Sequence, residues 1–288
     1  MAEMQRNNLS LCSFNCRSLK SSLSEVYELC NRNDFVMTQE HWLLPNELNR
    51  LNTVHSDFIS VGRSAVDLSG NLLVGRPYGG TAILYRRKLA NYVNHIDTHD
   101  SRISAVVCHT NMGPLLLMSV YMPVDYGDYD CMEAYIATCS AIECLISETD
   151  AVHVLIAGDF NCQPSSRFFD IMSHLVSDNN LQITDMSQLH SGNVFTYCND
   201  AGTSMSWIDH ILCSPSINDS VCNIAVLYNY VTSDHKPIMA TVSIFLFLVI
   251  LLFSPMLMTR QRVPRIALTG LKLMLGIAIC IAVPLTMH

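Results

Sequence analysis

The sequence predicts an α+β fold, a four-layer α/β sandwich in which two packed β-sheets are flanked by helices. Short apolar runs alternate with helical stretches over residues 1–244, and most of these runs end in turn residues. The pattern gives about ten strands and about three main helices, and many short strands with few helices are typical of two layered sheets.

The predicted strands are short apolar segments bounded by polar or turn residues, which is the pattern of strands buried in a sheet. They cover residues 9–15, 35–38, 58–61, 80–85, 103–109, 115–121, 152–157, 206–212, 222–227 and 237–243. After the third of these segments, residues 62–79 contain several glycines and little apolar periodicity, which predicts a long surface loop.

Three other segments have the period of an amphipathic helix. In the first, Leu23, Val26, Tyr27 and Cys30 recur at helical spacing and form one apolar face that can pack on a sheet. The predicted helices cover residues 19–31, 129–147 and 166–176. Together, the strands and helices predict one domain over residues 1–244.

The composition limits the class of protein. The chain has 288 residues, of which 50% are hydrophobic and 15% are charged, so it is not a disordered chain. Its net charge of -8 argues against a protein that holds nucleic acid by bulk positive charge. It does not exclude an enzyme whose carboxylates hold a metal ion that meets a phosphate. The 12 cysteines are too sparse for a disulfide scaffold and lack paired zinc spacing, so we expect free thiols in a reducing compartment.

Residues 245–288 form a hydrophobic tail in which one or two transmembrane helices are candidates. The first candidate is short and contains Pro255, and the second, over residues 266–285, is interrupted by Lys272. The alternative is appended sequence that does not act as an anchor. The N-terminus lacks the apolar core of a signal peptide. We therefore expect membrane association if the tail inserts, and a nuclear or cytosolic protein if it does not.

Polar side chains stand at the ends of several predicted strands, where strands of a sandwich bring them to one edge. They are Asn15, Glu40, Tyr121, Asp159, Asn161, Asp209, Asp234 and His235. Taken singly, most of them also fit turn, cap or strand-end positions. As a set, they predict metal-assisted phosphodiester hydrolysis.

Each residue type in this set suits a part of that chemistry. Mg²⁺ takes one or two carboxylates, which Glu40 with Asp159 or Asp234 could supply. The amides of Asn15 and Asn161 could bond phosphate oxygens without adding negative charge. A histidine whose tautomer is fixed by an acid can stabilise a phosphate oxygen, a role that the sequence offers to His235 with Asp209 behind it.

Seven segments carry a family resemblance, and all occur in the family's order. They are SFNCRSL at 13–19, QEHWL at 39–43, GGTAIL at 79–84, VYMP at 120–123, AGDFNCQP at 157–164, SWIDHIL at 206–212 and SDHKP at 233–237. The sequence resembles the endonuclease/exonuclease/phosphatase family, and within it the apurinic-type endonuclease domain of non-LTR (LINE-type) retrotransposons. The resemblance spans nearly all of residues 9–244.

The resemblance implies a role for each position that matches a motif. Glu40 would bind the metal ion, Mg²⁺ or alternatively Mn²⁺, with Asn15 and Asp234 beside it. Asp159 and Asn161 would activate water and hold the scissile phosphate, and Tyr121 would face that phosphate. Asp209 would orient His235.

One position departs from the DNA-repair members, which have an acid where this chain has Arg17. The departure removes a metal contact and favours the retrotransposon branch. For contact with a DNA substrate the sequence offers Arg17 and Lys20, Arg86 and Arg87 of an Arg-Arg-Lys run, Arg167, and Ser206 at the start of its motif. So few basic residues predict weak, salt-sensitive binding.

Three functions remain open from the sequence. The leading hypothesis is a magnesium-dependent phosphodiesterase of retrotransposon origin that nicks DNA. The second is a membrane-tethered phosphodiesterase or phosphatase that acts on phospholipids or inositol phosphates, an arrangement that resembles a neutral sphingomyelinase. The third is an inactive retroelement relic that folds without catalysing a reaction.

Overall fold

The structure is a computed structural model that describes residues 8–68, 75–189 and 194–244. The hydrophobic tail, with the transmembrane helices predicted in it, lies outside the described residues. No helix in the described part of the chain has the length and apolar character that a membrane crossing requires.

The described residues contain strands in three sheets. In chain order the strands are β1 (Leu9–Asn15), β2 (Phe35–Gln39), β3 (Phe58–Arg63), β4 (Thr81–Arg86), β5 (Val93–Ile96), β6 (Ile103–Thr110), β7 (Gly113–Tyr121), β8 (His153–Asp159), β9 (Gln182–Ile183), β10 (Tyr197–Cys198), β11 (Met205–Ser206), β12 (Asp209–Cys213), β13 (Val221–Val226) and β14 (Ile238–Val242). The first six-stranded sheet has the order β13-β14-β1-β2-β4-β3, and the second has the order β5-β6-β7-β8-β12-β9. Strands β10 and β11 form a separate hairpin.

Helices cover the outer faces of the two large sheets. The α-helices are α1 (Leu19–Arg32), α2 (Tyr129–Glu148), α3 (Arg167–Asp178), α4 (Thr184–Gln188) and α5 (Pro215–Asn218), and 3-10 helices cover Pro45–Thr53 and Arg87–Tyr92. Helix α1 buries Val26 and Leu29 against the first sheet, and α2 and α3 bury Tyr135 and Phe168 against the second. The two packed sheets with outer helices confirm the predicted α+β sandwich.

A continuous apolar core fills the space between the sheets. Leu11 and Met37 of the first sheet and Leu117 and Leu155 of the second are fully buried in it. Ile244, just after β14, is also buried in this core. The described cysteines are free thiols and most of them are buried, as the sequence predicts.

The structure differs from the predicted elements at a few places. The predicted strand over residues 206–212 is divided, because Trp207 and Ile208 separate the β10–β11 hairpin from β12. Strand β5 was not predicted from the sequence. It lacks the apolar alternation of a strand, because Asn94 and His95 are both exposed at the sheet edge. The 3-10 helix Pro45–Thr53 buries only Leu51, too little for a periodic apolar signal.

Strand direction gathers the functional positions at one edge of the sandwich. Strands β1 and β2 are parallel and end together at Asn15 and Gln39, and β7 and β8 are parallel and end together at Tyr121 and Asp159. Strand β12 is antiparallel to β8, so it begins at the same edge with Asp209 beside Asp159. The two sheets therefore present polar side chains along their common edge. We call this edge, marked by Asn15, Gln39, Tyr121, Asp159 and Asp209, the seam.

Candidate active site

The Asn15 side chain connects the two sheets at this edge. It is fully buried, and its Nδ2 atom donates to Glu40 Oε1 at 3.0 Å and to Asp159 Oδ2 at 2.9 Å. The same nitrogen lies 3.4 Å from Nε2 of His235. One neutral amide therefore holds two carboxylates and an imidazole that the chain separates widely.

His235 forms a buried dyad with Asp209. Its Nδ1 atom lies 2.8 Å from Oδ2 of Asp209, and its Nε2 atom lies 3.7 Å from Oδ2 of Asp159. Donation from Nδ1 to Asp209 fixes the orientation of the ring. The Nε2 edge then faces Asp159, as the sequence-based role of Asp209 behind His235 requires.

Burial and charge act in opposite directions on the pKa of His235. Burial lowers this pKa, but the carboxylates of Asp209 and Asp159 raise it by more, so it lies above the usual value for histidine. Burial is the largest effect on Asp159 and raises its pKa, whereas the adjacent His235 lowers it. The His235 imidazole therefore keeps its proton at neutral pH. The Asp159 carboxylate accepts a proton more readily than an exposed carboxylate does.

A tight turn after β8 aims the Asp159 side chain. Oδ1 of Asp159 accepts the backbone N–H of Asn161 at 2.9 Å, and Nδ2 of Asn161 donates to the carbonyl of Met122 at 2.8 Å. Gly158 lets β8 approach β7 closely, because a Cβ at this position would collide with the carbonyl group of Val120. The Gly-Asp-Phe-Asn motif therefore places the Asp159 carboxylate: its glycine allows the close strand packing, and the N–H of its asparagine holds one carboxylate oxygen.

Glu40 is partly exposed and is held by two donors. Besides Asn15, the indole Nε1 of Trp42 donates to Glu40 Oε2 at 3.0 Å, and the Tyr121 side chain lies close to the same carboxylate. Burial, then the charges of Glu40 and Asp159, raise the pKa of the Tyr121 hydroxyl. The hydroxyl therefore stays protonated and remains a donor at the mouth of the site.

Backbone strain concentrates at these positions. Arg17, Glu40, Trp42 and Asn161 have φ values of 43°, 52°, 56° and 48°, in the left-handed region that side chains disfavour. Each such residue costs on the order of 1 kcal/mol, and strain of this kind is common at functional sites. Three of the four directly follow a strand that ends at the seam or lie within two residues of its end.

The oxygen atoms of the seam suit a hard divalent cation. Among the described residues, Asp159, Asp209 and His235 form a group whose ligand atoms lie within 4.8 Å of one another. In that group Asp209 is already bonded to His235, and the bond would have to break for both to share an ion. The partly exposed carboxylate of Glu40 shares the Asn15 donor with Asp159 and is a further candidate ligand.

Asp234, a predicted metal ligand, lies beside Arg17. Its Oδ2 atom lies 3.3 Å from Nη1 of Arg17, and the same Nη1 lies 2.8 Å from Oδ1 of Asp200. Asp234 is therefore paired with a guanidinium group in this structure. The residue that departs from the DNA-repair pattern, Arg17, is thus held between two carboxylates at the edge of the site.

The structure places Arg86 and Arg87, two predicted substrate contacts, away from the seam. Strand β4 begins at the seam, where Thr81 pairs with Gln39, and it ends at Arg86 on the opposite side of the sheet. There Arg86 lies 3.3 Å from Asp34, and Arg87 donates to a strand carbonyl. The direction of β4, which the sequence does not reveal, determines this placement.

Two further predicted contacts stay near the seam. Ser206 lies on the β10–β11 hairpin and lines a cleft of about 420 Å³ together with Gln163 and Trp207. Arg167 begins α3, but its guanidinium group is paired with Asp125 at 2.8 Å. Ser206 therefore remains a candidate substrate contact, and the charge of Arg167 is largely neutralised.

Sequence reasoning missed several residues that support the site. Trp42 fixes Glu40, and Ser233 donates from Oγ to the carbonyl of Asn15 at 2.8 Å while accepting the N–H of His235 at 3.1 Å. Both residues stand inside recognisable motifs, so their position was a usable signal. Asp185 is different, because it bonds His210 behind the site and no local pattern marks it.

Comparison with known proteins finds a family profile that spans most of these motifs. A sequence profile described as the Endonuclease/Exonuclease/phosphatase family matches residues 12–235, which is most of the chain. No curated protein matches the sequence.

Solved structures share the fold at low sequence identity. The 3' phosphatase NExo from Neisseria bound to a product DNA hairpin has a TM-score of 0.63 and 18% identity, and the match covers 81% of this chain and 98% of that one. An AP endonuclease from Leishmania major has a TM-score of 0.67 and 11% identity, with 82% and 88% covered. The endonuclease domain of TRAS1, a telomere-specific non-LTR retrotransposon, has a TM-score of 0.61 and 15% identity, with 82% and 98% covered.

Proposed function

The chain belongs to the endonuclease/exonuclease/phosphatase family of metal-dependent phosphodiester hydrolases, and from that premise we propose that it nicks DNA with the help of Mg²⁺ or Mn²⁺. The observation that carries the proposal is the hydrogen-bonded set around Asn15, which joins the carboxylates of Glu40 and Asp159 to the His235–Asp209 dyad. Such a set offers a base, a fixed donor and a hard oxygen ligand within one buried seam.

Asp159 is the proposed base for the attacking water. Its raised pKa suits a group that must accept a proton near neutral pH. The Asn161 N–H orients its Oδ1, and Asn15 holds its Oδ2, so the carboxylate has a single direction.

His235 and Tyr121 are the proposed donors to the phosphate oxygens. His235 carries a proton that Asp209 stabilises, and its Nε2 edge faces Asp159, where the phosphate would lie. Tyr121 keeps its hydroxyl proton and is anchored by Arg102, which donates to its carbonyl at 3.2 Å. Preorganised donors of this kind stabilise charge that develops in the transition state.

Glu40 is the proposed principal ligand of the cation, with the Asn15 side-chain oxygen as a second candidate. When bound, a divalent cation neutralises charge on the phosphate. The structure pairs Asp234 with Arg17, and we propose that Asp234 positions this guanidinium rather than the metal ion.

Two observations support DNA of the retrotransposon type as the context. Arg17 replaces the acid of the DNA-repair pattern, and the TRAS1 endonuclease domain shares the fold. A relative bound to a DNA hairpin supports DNA over a phospholipid substrate. We find no feature among the described residues that favours the lipid substrate, so lipid hydrolysis becomes an outcome of the test.

The test is nicking of supercoiled plasmid by the full chain with Mg²⁺, with Mn²⁺ and with a chelator. We expect metal-dependent nicking that falls by about 100-fold or more in Asp159→Asn and in His235→Gln, because each loses a proton-transfer or donor group. The matched control is Asp150→Asn, an exposed acid away from the seam, which should nick like the wild type.

Three results would contradict the proposal: equal nicking by all proteins, nicking in the chelator, or release of phosphocholine from sphingomyelin without nicking. A metal-induced rise in the unfolding temperature that is lost in Glu40→Gln would test the ligand independently of activity, because an ion that binds only the folded state stabilises it.

A further inference from the structure

A second cavity opens beside Trp42, whose indole N–H is bonded to Glu40. Its volume is about 550 Å³, which is in the range of sites that hold a small molecule or a nucleotide. Trp42, Lys20, Arg50 and Arg76 contribute to its lining. None of these residues takes part in the chemistry proposed above, apart from the indole N–H of Trp42.

Trp42 is held rigidly at the boundary between this cavity and the site. Its Nε1 donates to Glu40 at 3.0 Å. Its backbone φ is 56°, in the left-handed region that residues with a side chain rarely adopt. The guanidinium carbon of Arg76 lies 6.0 Å from the centroid of the indole, in a cation–π arrangement. The Nε1 edge of the Trp42 indole thus points to Glu40, and one face of the indole lies next to the positive charge of Arg76.

The charge of the cavity is opposite to that of the whole chain. Of its lining residues, Lys20, Arg50 and Arg76 are basic and Glu47 is the acid. Glu47 is already paired with Arg50 at 3.0 Å, so the positive charges of Lys20 and Arg76 are not neutralised within the cavity. In a chain with a net charge of -8, this is a local concentration of positive potential.

We propose that this cavity binds the nucleotide next to the scissile phosphate, with its base against Trp42 and its phosphate between Lys20 and Arg76. Aromatic faces stack bases of any sequence, and basic side chains hold the phosphates, which together form a binding site for a single strand. The bond from Trp42 to Glu40 places this subsite directly beside the proposed metal ligand.

The subsite rests on the proposed DNA substrate, yet its binding is measured separately from cleavage. The probe is a fluorescently labelled deoxythymidine oligonucleotide of about 12 nucleotides, in the range of known single-strand sites. It is titrated with the full chain in a chelator, so that no hydrolysis occurs. Anisotropy at several salt concentrations gives the affinity and its salt dependence.

The variants are Lys20→Gln and Arg76→Gln, alone and together. Their matched controls are Lys88→Gln, which lies at the far end of β4 beside Asp34, and Arg32→Gln at the other end of α1. Thermal unfolding of each variant checks that it is folded. Should the double variant unfold, the two single variants carry the measurement, since Lys20 is an exposed helix residue.

For the double variant we expect about tenfold weaker binding and a salt slope that is smaller by about 1.4, because each lost phosphate contact on a single strand lowers the slope by about 0.7. In a Trp207→Phe background, the oligonucleotide should also quench the emission of Trp42. An unchanged slope, an equal change in the controls, or no binding by the wild type would overturn the subsite.

The plasmid assay separates the two ideas. Nicking by the wild type with an unchanged slope in the double variant rejects the subsite alone. A reduced slope without metal-dependent nicking supports the subsite and rejects the proposed cleavage.

Discussion

At the scale of single residues, the most informative side chain is Asn15, a neutral amide among acids. A carboxylate in its place would repel both Glu40 and Asp159, whereas Nδ2 donates to both at 3.0 and 2.9 Å. The sequence indicates that an asparagine ends β1, but not that it joins two carboxylates. Only the structure shows that contact, because Asn15 and Asp159 are 144 positions apart in the chain.

Asp209 provides the sharpest residue-scale prediction. In Asp209→Asn the side chain keeps its shape but loses the charge that holds the His235 imidazolium. We expect the kcat of nicking to fall by about 100-fold or more with little change in KM, because the charged dyad stabilises the transition state more than bound substrate.

The control for Asp209→Asn is Asp178→Asn, an exposed acid at the end of α3. Nicking kinetics of the two variants and the wild type give the comparison. A kcat of Asp209→Asn equal to that of the control would show that the dyad has no part in turnover.

At the scale of elements, the β7–β8 pair sets the position of the base. The strands run parallel, with Tyr121 opposite Asp159, and the close approach at Gly158 has no room for a side chain. The glycine thus belongs to the packing of two strands rather than to a flexible turn.

Gly158→Ala should destabilise the protein by about 3 kcal/mol, at the upper end for an overpacked site, because the obstructing atoms are backbone and cannot rotate away. Gly127→Ala is the reference, since open space surrounds Gly127 and only its φ of 84° opposes a side chain. That change should cost about 1 kcal/mol, because a residue with a side chain is strained at positive φ. Denaturant unfolding measures both, and equal losses would contradict the close approach.

A second buried pair joins α4 to β12 behind the site. Nδ1 of His210 lies 2.9 Å from Oδ2 of Asp185, its Nε2 lies 3.1 Å from the carbonyl of Cys162, and Asp185 Oδ1 accepts the N–H of Ile211 at 2.8 Å. All the polar atoms of the two side chains have partners. The pair therefore ties the loop after Asp159 to the strand that begins with Asp209.

This pair makes stability depend on pH. Burial lowers the pKa of His210 but Asp185 raises it by more, so the folded-state pKa exceeds the unfolded value of about 6.5. The stabilisation is complete below pH of about 6.5 and is lost as the pH rises through the folded-state pKa. The difference in unfolding free energy between wild type and His210→Gln should therefore shrink as the pH rises from about 6.5 through the folded-state pKa.

Denaturant unfolding at several pH values checks this prediction. His174→Gln, which removes an exposed histidine of α3, is the control and should show no such trend. A difference that stays constant or grows with pH would contradict the proposed charge state of the pair.

Most elements could be predicted from sequence because their apolar pattern is local. The segment predicted as the first strand coincides with Leu9–Asn15, and the three predicted helices agree with α1, α2 and α3 to within two residues at either end. Strand direction was not predictable, because it depends on pairing between distant segments. This is why Arg86 and Arg87 directly follow a predicted strand in the sequence and yet lie away from the site.

At the scale of the whole molecule, the site depends on the packing of one sheet on the other. Asn15 ends one strand of the first sheet and Glu40 follows another, whereas Tyr121, Asp159 and Asp209 belong to the second sheet. Part of the net negative charge of the chain is therefore concentrated at the seam, where a divalent cation would offset it. Outside the cavity beside Trp42, the acidity should keep DNA binding weak and sensitive to salt.

We propose that residues 1–244 fold without the hydrophobic tail, because the last described residue, Ile244, completes the core between the sheets. A chain that ends at residue 244 should unfold at the same temperature as the full chain and nick plasmid at the same rate. Thermal unfolding and nicking measure this, and a truncated chain that fails to fold would contradict the domain boundary. Carbonate extraction of membranes with the full chain tests the tail as an anchor.

The sequence by itself determined the sandwich, most of its elements and the residue types of the site, because apolar periodicity and short motifs are local properties of the chain. Only the tertiary structure decided which side chains meet: Trp42 with Glu40, Asp234 with Arg17, and Asp185 with His210. These contacts depend on strand direction, on backbone φ and on the packing of the two sheets. No pattern along the sequence encodes such distances, because they arise only when distant segments pack together.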